Sequence, residues 1–212
     1  RYPIAQRNRD KIRLAWLDCP LIPARRRSVG RLAPVTFGYA EPSNSETYDV
    51  CFYGTQSSRL RPDVWRHVLS SDMSAIGGIQ PHDIDPEVDG DVAAPALETD
   101  RYVQAIRDSR VNLALDGLGE FTHRHWELWM LAAFSLSSPS IRELALPGGA
   151  KEYEHFVCFD DLDDLIDKIR YYAIADDERR AIARAGRRLF ERTFDFKQYG
   201  AFVVDEMARS GR

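Results

Sequence analysis

The sequence predicts an α/β domain in which a parallel sheet carries helices on both faces and ends in a C-terminal helical segment. Three observations point there. From Tyr48 onward, compact β-favouring runs alternate with segments of helical period, the order expected of strand–helix–strand units. The runs Val50-Cys51-Phe52, Val111-Asn112-Leu113-Ala114-Leu115 and Val157-Cys158-Phe159 are short and apolar, as buried parallel strands are. The turn Asp116-Gly117-Leu118-Gly119 then leads into a helix at Thr122, which places polar side chains at the carboxyl end of a strand, where open α/β sheets bind their ligands.

The elements follow in order. Tyr48 to Gly54 is a strand closed by glycine, and Pro62 to Leu69 reads as a helix with proline in its first turn. Met73 to Ile79 is a second strand in spite of its two glycines, and Asp100 to Ser109 a helix with Tyr102, Val103 and Ile106 on one face. Strand Val111 to Leu115, helix Thr122 to Ala133 and a short strand at Phe134 to Ser137 come next, with Pro139 turning the chain. Glu154 to Phe159 is the last strand; Asp160 and Asp161 cap a helix with Leu162, Leu165, Ile166 and Ile169 at amphipathic intervals. Asp176 to Arg192 and Phe196 to Ala208 are helical.

Residues 1–47 differ. Lys11 to Leu17 has the look of a strand, but Pro20, Pro23, Arg25-Arg26-Arg27 and the polar stretch Glu41 to Thr47 sustain no period. We read 1–47 as a lead-in or the remnant of an N-terminal domain, and 48–212 as the ligand-binding domain. Gln80 to Ala94, rich in Asp, Pro and Gly, reads as an exposed loop.

Composition narrows the function classes. A chain of 212 residues and 24.2 kDa holds one good core, and 44% hydrophobic with 29% charged residues is ordinary for a folded domain. A net charge of -4 and a pI near 5.8 give no general pull on nucleic acid or anionic membrane, so any anion is held by a local site. Cys19, Cys51 and Cys158 are widely spaced and odd in number, which suits buried thiols in a reducing compartment. No run approaches the roughly 20 apolar residues of a membrane span, no signal-peptide core opens the chain, and a cytoplasmic location is expected. The chain begins at Arg1 rather than Met.

The stretch Thr122-His123-Arg124-His125-Trp126-Glu127 carries the most chemistry. Arg124 and Glu127 are three apart and share a helix face, so a guanidinium can grip a phosphate while a carboxylate holds a hydroxyl pair. The plain alternative is an i,i+3 surface ion pair. His123 and His125 point apart on a helix, so no metal site is expected. Gly54-Thr55-Gln56-Ser57-Ser58 lacks the P-loop pattern and is either a simple strand-to-helix turn or a phosphate contact. Trp126, Trp129 and Met130 read as packing residues, Asp160 to Asp164 as helix capping, His155 as structural and Arg25-Arg26-Arg27 as a solvated patch.

The ordered set of the Tyr48–Gly54 strand, Tyr102 to Leu113, Arg124 with Glu127, and Phe156-Val157-Cys158-Phe159 followed by Asp160 to Leu165 resembles the carboxyl-terminal half of GT-B glycosyltransferases. The spore-coat-type family 1 enzymes come first and the exostosin-like enzymes second, over about residues 48–210. The resemblance implies a Rossmann-like donor domain, a nucleotide-sugar donor of nucleoside diphosphate type, an unknown acceptor held by a separate amino-terminal domain, and metal-independent hexosyl transfer without a cofactor. It places Arg124 on the diphosphate and Glu127 on ribose or sugar hydroxyls. Gly54 and Thr55 would offer backbone N–H groups to the phosphates, Arg59 would add charge, and Gly119 and Thr122 would line the crevice. Two departures stand out. The first 47 residues are too few for an acceptor domain, so the chain is expected to be a fragment, a partly covered protein or a reduced relative. Ala132-Ala133-Phe134-Ser135 also stands where relatives carry an alanine-glycine turn. A non-catalytic α/β module that binds a nucleotide or a protein, or another nucleotide-dependent enzyme such as an epimerase, would share much of this pattern.

Overall fold

A computed structural model describes residues 46–82, 86–144 and 146–193. The expected strand at Lys11 to Leu17, the Arg25-Arg26-Arg27 patch, Cys19 and the helix at Phe196 to Ala208 lie outside the described residues. The elements are β1 (Tyr48–Thr55), α1 (Leu60–Leu69), β2 (Ala75–Gln80), α2 (Thr99–Arg107), β3 (Ser109–Ala114), α3 (His123–Met130), β4 (Ser135–Ser137), β5 (Val157–Cys158), α4 (Leu162–Ile174) and α5 (Asp176–Thr193). Two 3-10 turns, Pro139–Glu143 and Pro147–Gly149, fall between β4 and β5.

All pairings are parallel, in the order β2-β1-β3-β4-β5. Alternation along β1 sends Val50 and Phe52 to a core with Val64, Trp65 and Val68 of α1 and Leu165 and Ile169 of α4. Cys51 goes to the opposite face with Val103 and Ile106 of α2 and Leu128 of α3. Helices thus cover both faces, as predicted. α5 adds Ile182 and Ala183 to the first core, and Leu189 to a third cluster with Trp129 and Phe156. Trp129 is fully buried and Trp126 stacks on Phe190 at 6.3 Å, so both tryptophans are packing residues. Cys51 and Cys158 are buried free thiols, pushed up by burial to about 11 and about 12, and behave as small hydrophobes.

The glycines of β2 are a consequence of close approach. Gly77 pairs with Phe52 at φ 144°, and a Cβ there would lie 1.7 Å from the Phe52 carbonyl oxygen. A Cβ on Gly78 would lie 2.4 Å from that of Ala94. The stretch Gln80 to Ala94 is therefore not wholly an exposed loop: Val92 is buried, Ile79 N–H donates to the Val92 carbonyl (2.8 Å), and Ala94 N–H donates back to Ile79 (3.0 Å). These bonds satisfy part of the edge of β2.

Several boundaries depart from expectation; α1 starts at Leu60 rather than Pro62 and β2 at Ala75 rather than Met73. The last strand is only Val157–Cys158, because Lys151 to His155 close a turn in which Lys151 N–H donates to His155 Nδ1 (3.0 Å) and His155 N–H to the Lys151 carbonyl (2.9 Å). Arg142, paired with Glu152 and Asp160, braces that turn, and Asp161 caps α4 by accepting from Asp164 N–H (2.9 Å). β3 begins at Ser109 rather than Val111, so α2 ends at Arg107. α3 stops at Met130 instead of Ala133: Ala132 N–H bonds the Trp129 carbonyl (3.1 Å) and Ala133 N–H bonds Leu128 (2.9 Å), a Schellman closure with Ala132 at φ 52°. That position favours glycine, so Ala132→Gly should stabilise the fold by about 0.5–1 kcal/mol in chemical denaturation. A loss instead would mean the buried methyl outweighs the backbone strain.

Candidate functional site

Strand order reverses between β1 and β3, because β1 leads outward to β2 while β3 leads the other way to β4 and β5. The crevice between their carboxyl ends is where an open α/β sheet accepts a ligand. Its floor is Arg61, near the start of α1 and only 8% exposed. Its Nε donates to the Asp116 carbonyl (2.8 Å), Nη1 to that of Thr55 (2.8 Å) and Nη2 to that of Leu115 (3.2 Å). One planar fork thus satisfies carbonyls at the end of one strand and just past the end of its neighbour. Gly54 and Gly117 admit it. A Cβ on Gly54 would sit 2.7 Å from Phe52 Cζ and 3.3 Å from Arg61 Nη1; one on Gly117 would sit 2.8 Å from Arg61 Nη2. Ser58 Oγ adds a bond to the Asp116 carbonyl (2.8 Å).

The far wall is the amino end of α3. Thr122 is its N-cap, and Thr122 N–H donates to Nδ1 of His125 (3.0 Å), so the imidazole takes the place that Glu or Gln holds in a capping box. With Nδ1 accepting, the proton of the neutral ring is on Nε2, which is buried without a hydrogen-bond partner among the described residues. The ring stacks on Phe121 at 5.1 Å. Burial drives its pKa down to about 3, and the charges of Arg61 and Arg124 push the same way. His123 meets the edge of Trp126 at 5.9 Å. Among the described residues no three His, Cys, Asp or Glu side chains are grouped as a metal site.

Arg124 and Glu127 converge on Tyr102 of α2. The guanidinium carbon of Arg124 is 4.7 Å from the centroid of the Tyr102 ring and 5.9 Å from that of Phe52, and the Phe52 ring lies 5.8 Å from Arg61 Cζ as well. Tyr102 Oη donates to Glu127 Oε2 at 2.7 Å. Among the described residues Arg124 and Glu127 form no ion pair with each other; the tyrosine stands between their roles. Burial, with the Glu127 carboxylate adding and Arg124 opposing, holds the Tyr102 hydroxyl well above its usual pKa, so it remains a donor.

A family model described as glycosyl transferase-like matches residues 59–204. The chain belongs to that glycosyl transferase-like family. The match spans α1 to α5, and so takes in Arg61, Tyr102, Asp116, Arg124 and Glu127, while β1 precedes it. A comparison with curated proteins gives no match. With its parallel Rossmann-like sheet this is a family 1-type glycosyltransferase domain of GT-B type, and glycosyl transfer is its general chemistry.

The glycosyl transferase-like domain distributes the sequence-derived residues unevenly. Gly54, Thr55, Thr122, Arg124 and Glu127 gather at the carboxyl edge around Phe52, Arg61 and Tyr102. Thr55 is engaged by Arg61, Gly54 makes room for Phe52 and Arg61, and Thr122 is committed to capping. Gly119 is in an open turn where a Cβ would touch nothing within 4 Å, and its carbonyl accepts from Gly117 N–H (3.0 Å). Arg59 is exposed at the N-cap of α1.

Sequence reasoning missed Arg61, Tyr102 as a polar partner, and Asp116. Asp116 follows the central strand; both its carboxylate oxygens lie within hydrogen-bond reach of Ser140 Oγ (2.7 and 2.6 Å), and its N–H donates to Ser138 Oγ (2.9 Å). Burial raises its pKa and the serine bonds oppose the rise. Its place directly after an apolar strand and before a glycine was the available signal; Arg61 and Tyr102 had none beyond ordinary helix positions.

Among the described residues no helix is long and apolar enough to cross a membrane.

Proposed function

We propose that residues 48–212 bind a nucleoside-diphosphate sugar in this crevice and that the protein transfers its hexosyl group to an acceptor. One observation carries the reading: Arg124 and Glu127 stand together on the first turns of α3, beside the crevice where strand order reverses. When the glycosidic bond to the diphosphate breaks, the electron pair leaves with the diphosphate oxygen. A cation already aimed at that oxygen lowers the barrier most. Arg124 and the N–H groups opening α3 supply that charge, and Glu127 accepts from the donor's ribose hydroxyls. Positive charge from these groups makes a metal unnecessary for the leaving group. The buried reduced thiols Cys51 and Cys158 favour a cytoplasmic setting.

Uridine or guanosine diphosphate, added with a chelator at about a hundred times its Kd, is expected to raise Tm by roughly 5–10 °C. Arg124→Ala should leave the unliganded Tm close to that of the parent and weaken binding by about 2–4 kcal/mol, which removes most or all of the shift. A protein whose Tm responds to no nucleoside diphosphate would sink the reading. A shift undiminished in Arg124→Ala would move the phosphate site elsewhere.

A further inference from the structure

Arg124 and Glu127 are long side chains, and each has several rotors to immobilise before it can serve a ligand. The structure shows what immobilises both. A single residue, Tyr102, lends its ring face to the Arg124 guanidinium at 4.7 Å and its hydroxyl to Glu127 Oε2 at 2.7 Å. The residue is itself anchored: its ring meets Tyr53 of β1 edge-on at 6.5 Å and 79°, and its backbone N–H donates to the Glu98 carbonyl (3.0 Å) where α2 starts. Tyr102 therefore references the two α3 side chains to α2 and to the edge of β1, not merely to their own helix.

We propose that Tyr102 is a positioning residue that sets the donor site's preference for ribonucleotides; this rests on the reading of Glu127 as the ribose contact. The chemistry is one of lone pairs. The Tyr102 hydroxyl, kept protonated by its surroundings, takes a lone pair of Oε2 and fixes the plane of the carboxylate. Oε1 and the remaining lone pair of Oε2 then present acceptors in one orientation to a vicinal diol. Released from Tyr102, the carboxylate samples other rotamers and meets the hydroxyl pair only part of the time, while the diphosphate contact of Arg124 persists on the ring face. The hydroxyl and the ring thus carry separable duties. The hydroxyl governs recognition of the ribose, and the ring face governs phosphate affinity.

The experiment compares Kd values of the full chain for uridine and guanosine diphosphate and their 2′-deoxy and 3′-deoxy counterparts, in the parent protein, Tyr102→Phe, Tyr102→Leu and Glu127→Gln. The parent should favour the ribo forms by roughly tenfold, the worth of one hydrogen bond to a charged acceptor. Tyr102→Phe should lower that ratio at least threefold while binding of the deoxy forms stays within about twofold of the parent. Tyr102→Leu, which also removes the ring face, should weaken ribo and deoxy forms alike by roughly fivefold more. Glu127→Gln should reduce the ratio as far as Tyr102→Phe or further. A ratio left intact in Tyr102→Phe overturns the proposal, and so does a folded parent that binds diphosphates through Arg124 without distinguishing ribose from deoxyribose. A parent that binds no diphosphate overturns the donor-site reading itself, a different and separately visible result.

Discussion

Arg61→Met is expected to destabilise the domain by about 2–4 kcal/mol. Methionine keeps the apolar stem beside Phe52 but removes the three bonds from the guanidinium to the carbonyls of Thr55, Leu115 and Asp116, at 2.8–3.2 Å. Thr55 keeps the Ser57 N–H (2.8 Å) and Asp116 keeps Ser58 Oγ (2.8 Å), so Leu115 is the carbonyl that loses its donor. The Leu115 carbonyl left without its donor costs about 1–3 kcal/mol, and each of the other two lost bonds about 0.5–1.5 kcal/mol. Removing the cation recovers its own desolvation cost, and that recovery is why the total stays below the sum. Arg61→Lys should lose less, since an ammonium still donates, though its point charge cannot span two strands as the planar fork does. The measurement is the urea midpoint at constant m-value. A loss under about 1 kcal/mol would show that water enters and satisfies the strand ends.

The second large effect is acid sensitivity at His125. In the folded protein this imidazole resists protonation down to about pH 3, whereas an exposed histidine takes its proton near 6.5. Between those values the unfolded chain binds the extra proton, so the folded state is favoured fully only above pH 6.5 and loses stability as pH falls through the window. The whole window is worth roughly 5 kcal/mol, of which about 2 kcal/mol are lost by pH 5. Salt-bridged carboxylates such as Asp176, whose pKa is lowered chiefly by Arg179, also favour the folded state less as pH falls, so the test is a difference between variants. Glutamine suits the capping-box position and does not titrate. His125→Gln should be less stable than the parent by about 1–2 kcal/mol at pH 7.5, through loss of the stack on Phe121. By pH 5 the two should converge or cross. Curves that run parallel from pH 7.5 to pH 5 would mean that His125 titrates as an exposed residue does.

The strands β1 and β3 were legible because a strand buried on both faces concentrates its apolar residues in one run, and that signal is local. Their ends were less so. The last strand shrank to Val157–Cys158 because His155 spends its ring nitrogen on a turn, and α3 ended early because Ala132 adopts φ 52°. Neither event leaves a mark in periodicity. Within the candidate site, the shared face of Arg124 and Glu127 could be read from spacing on one helix. Tyr102, 25 residues before Glu127 and on another helix, could not be read as its partner, nor could Arg61 as a clamp on Asp116 55 residues later.

The sequence by itself determined the alternation of strands and helices, the parallel sheet, and the placement of a guanidinium and a carboxylate on one face of the helix after the Gly-rich turn. All three depend on spacing along the chain. Only the tertiary structure decided that the crevice has Arg61 for a floor, that His125 is a neutral cap, and that one tyrosine holds both members of the Arg124–Glu127 pair. Those outcomes depend on which strand ends and helix faces the crossovers bring together, and contacts between distant segments follow from register and packing rather than from any local period.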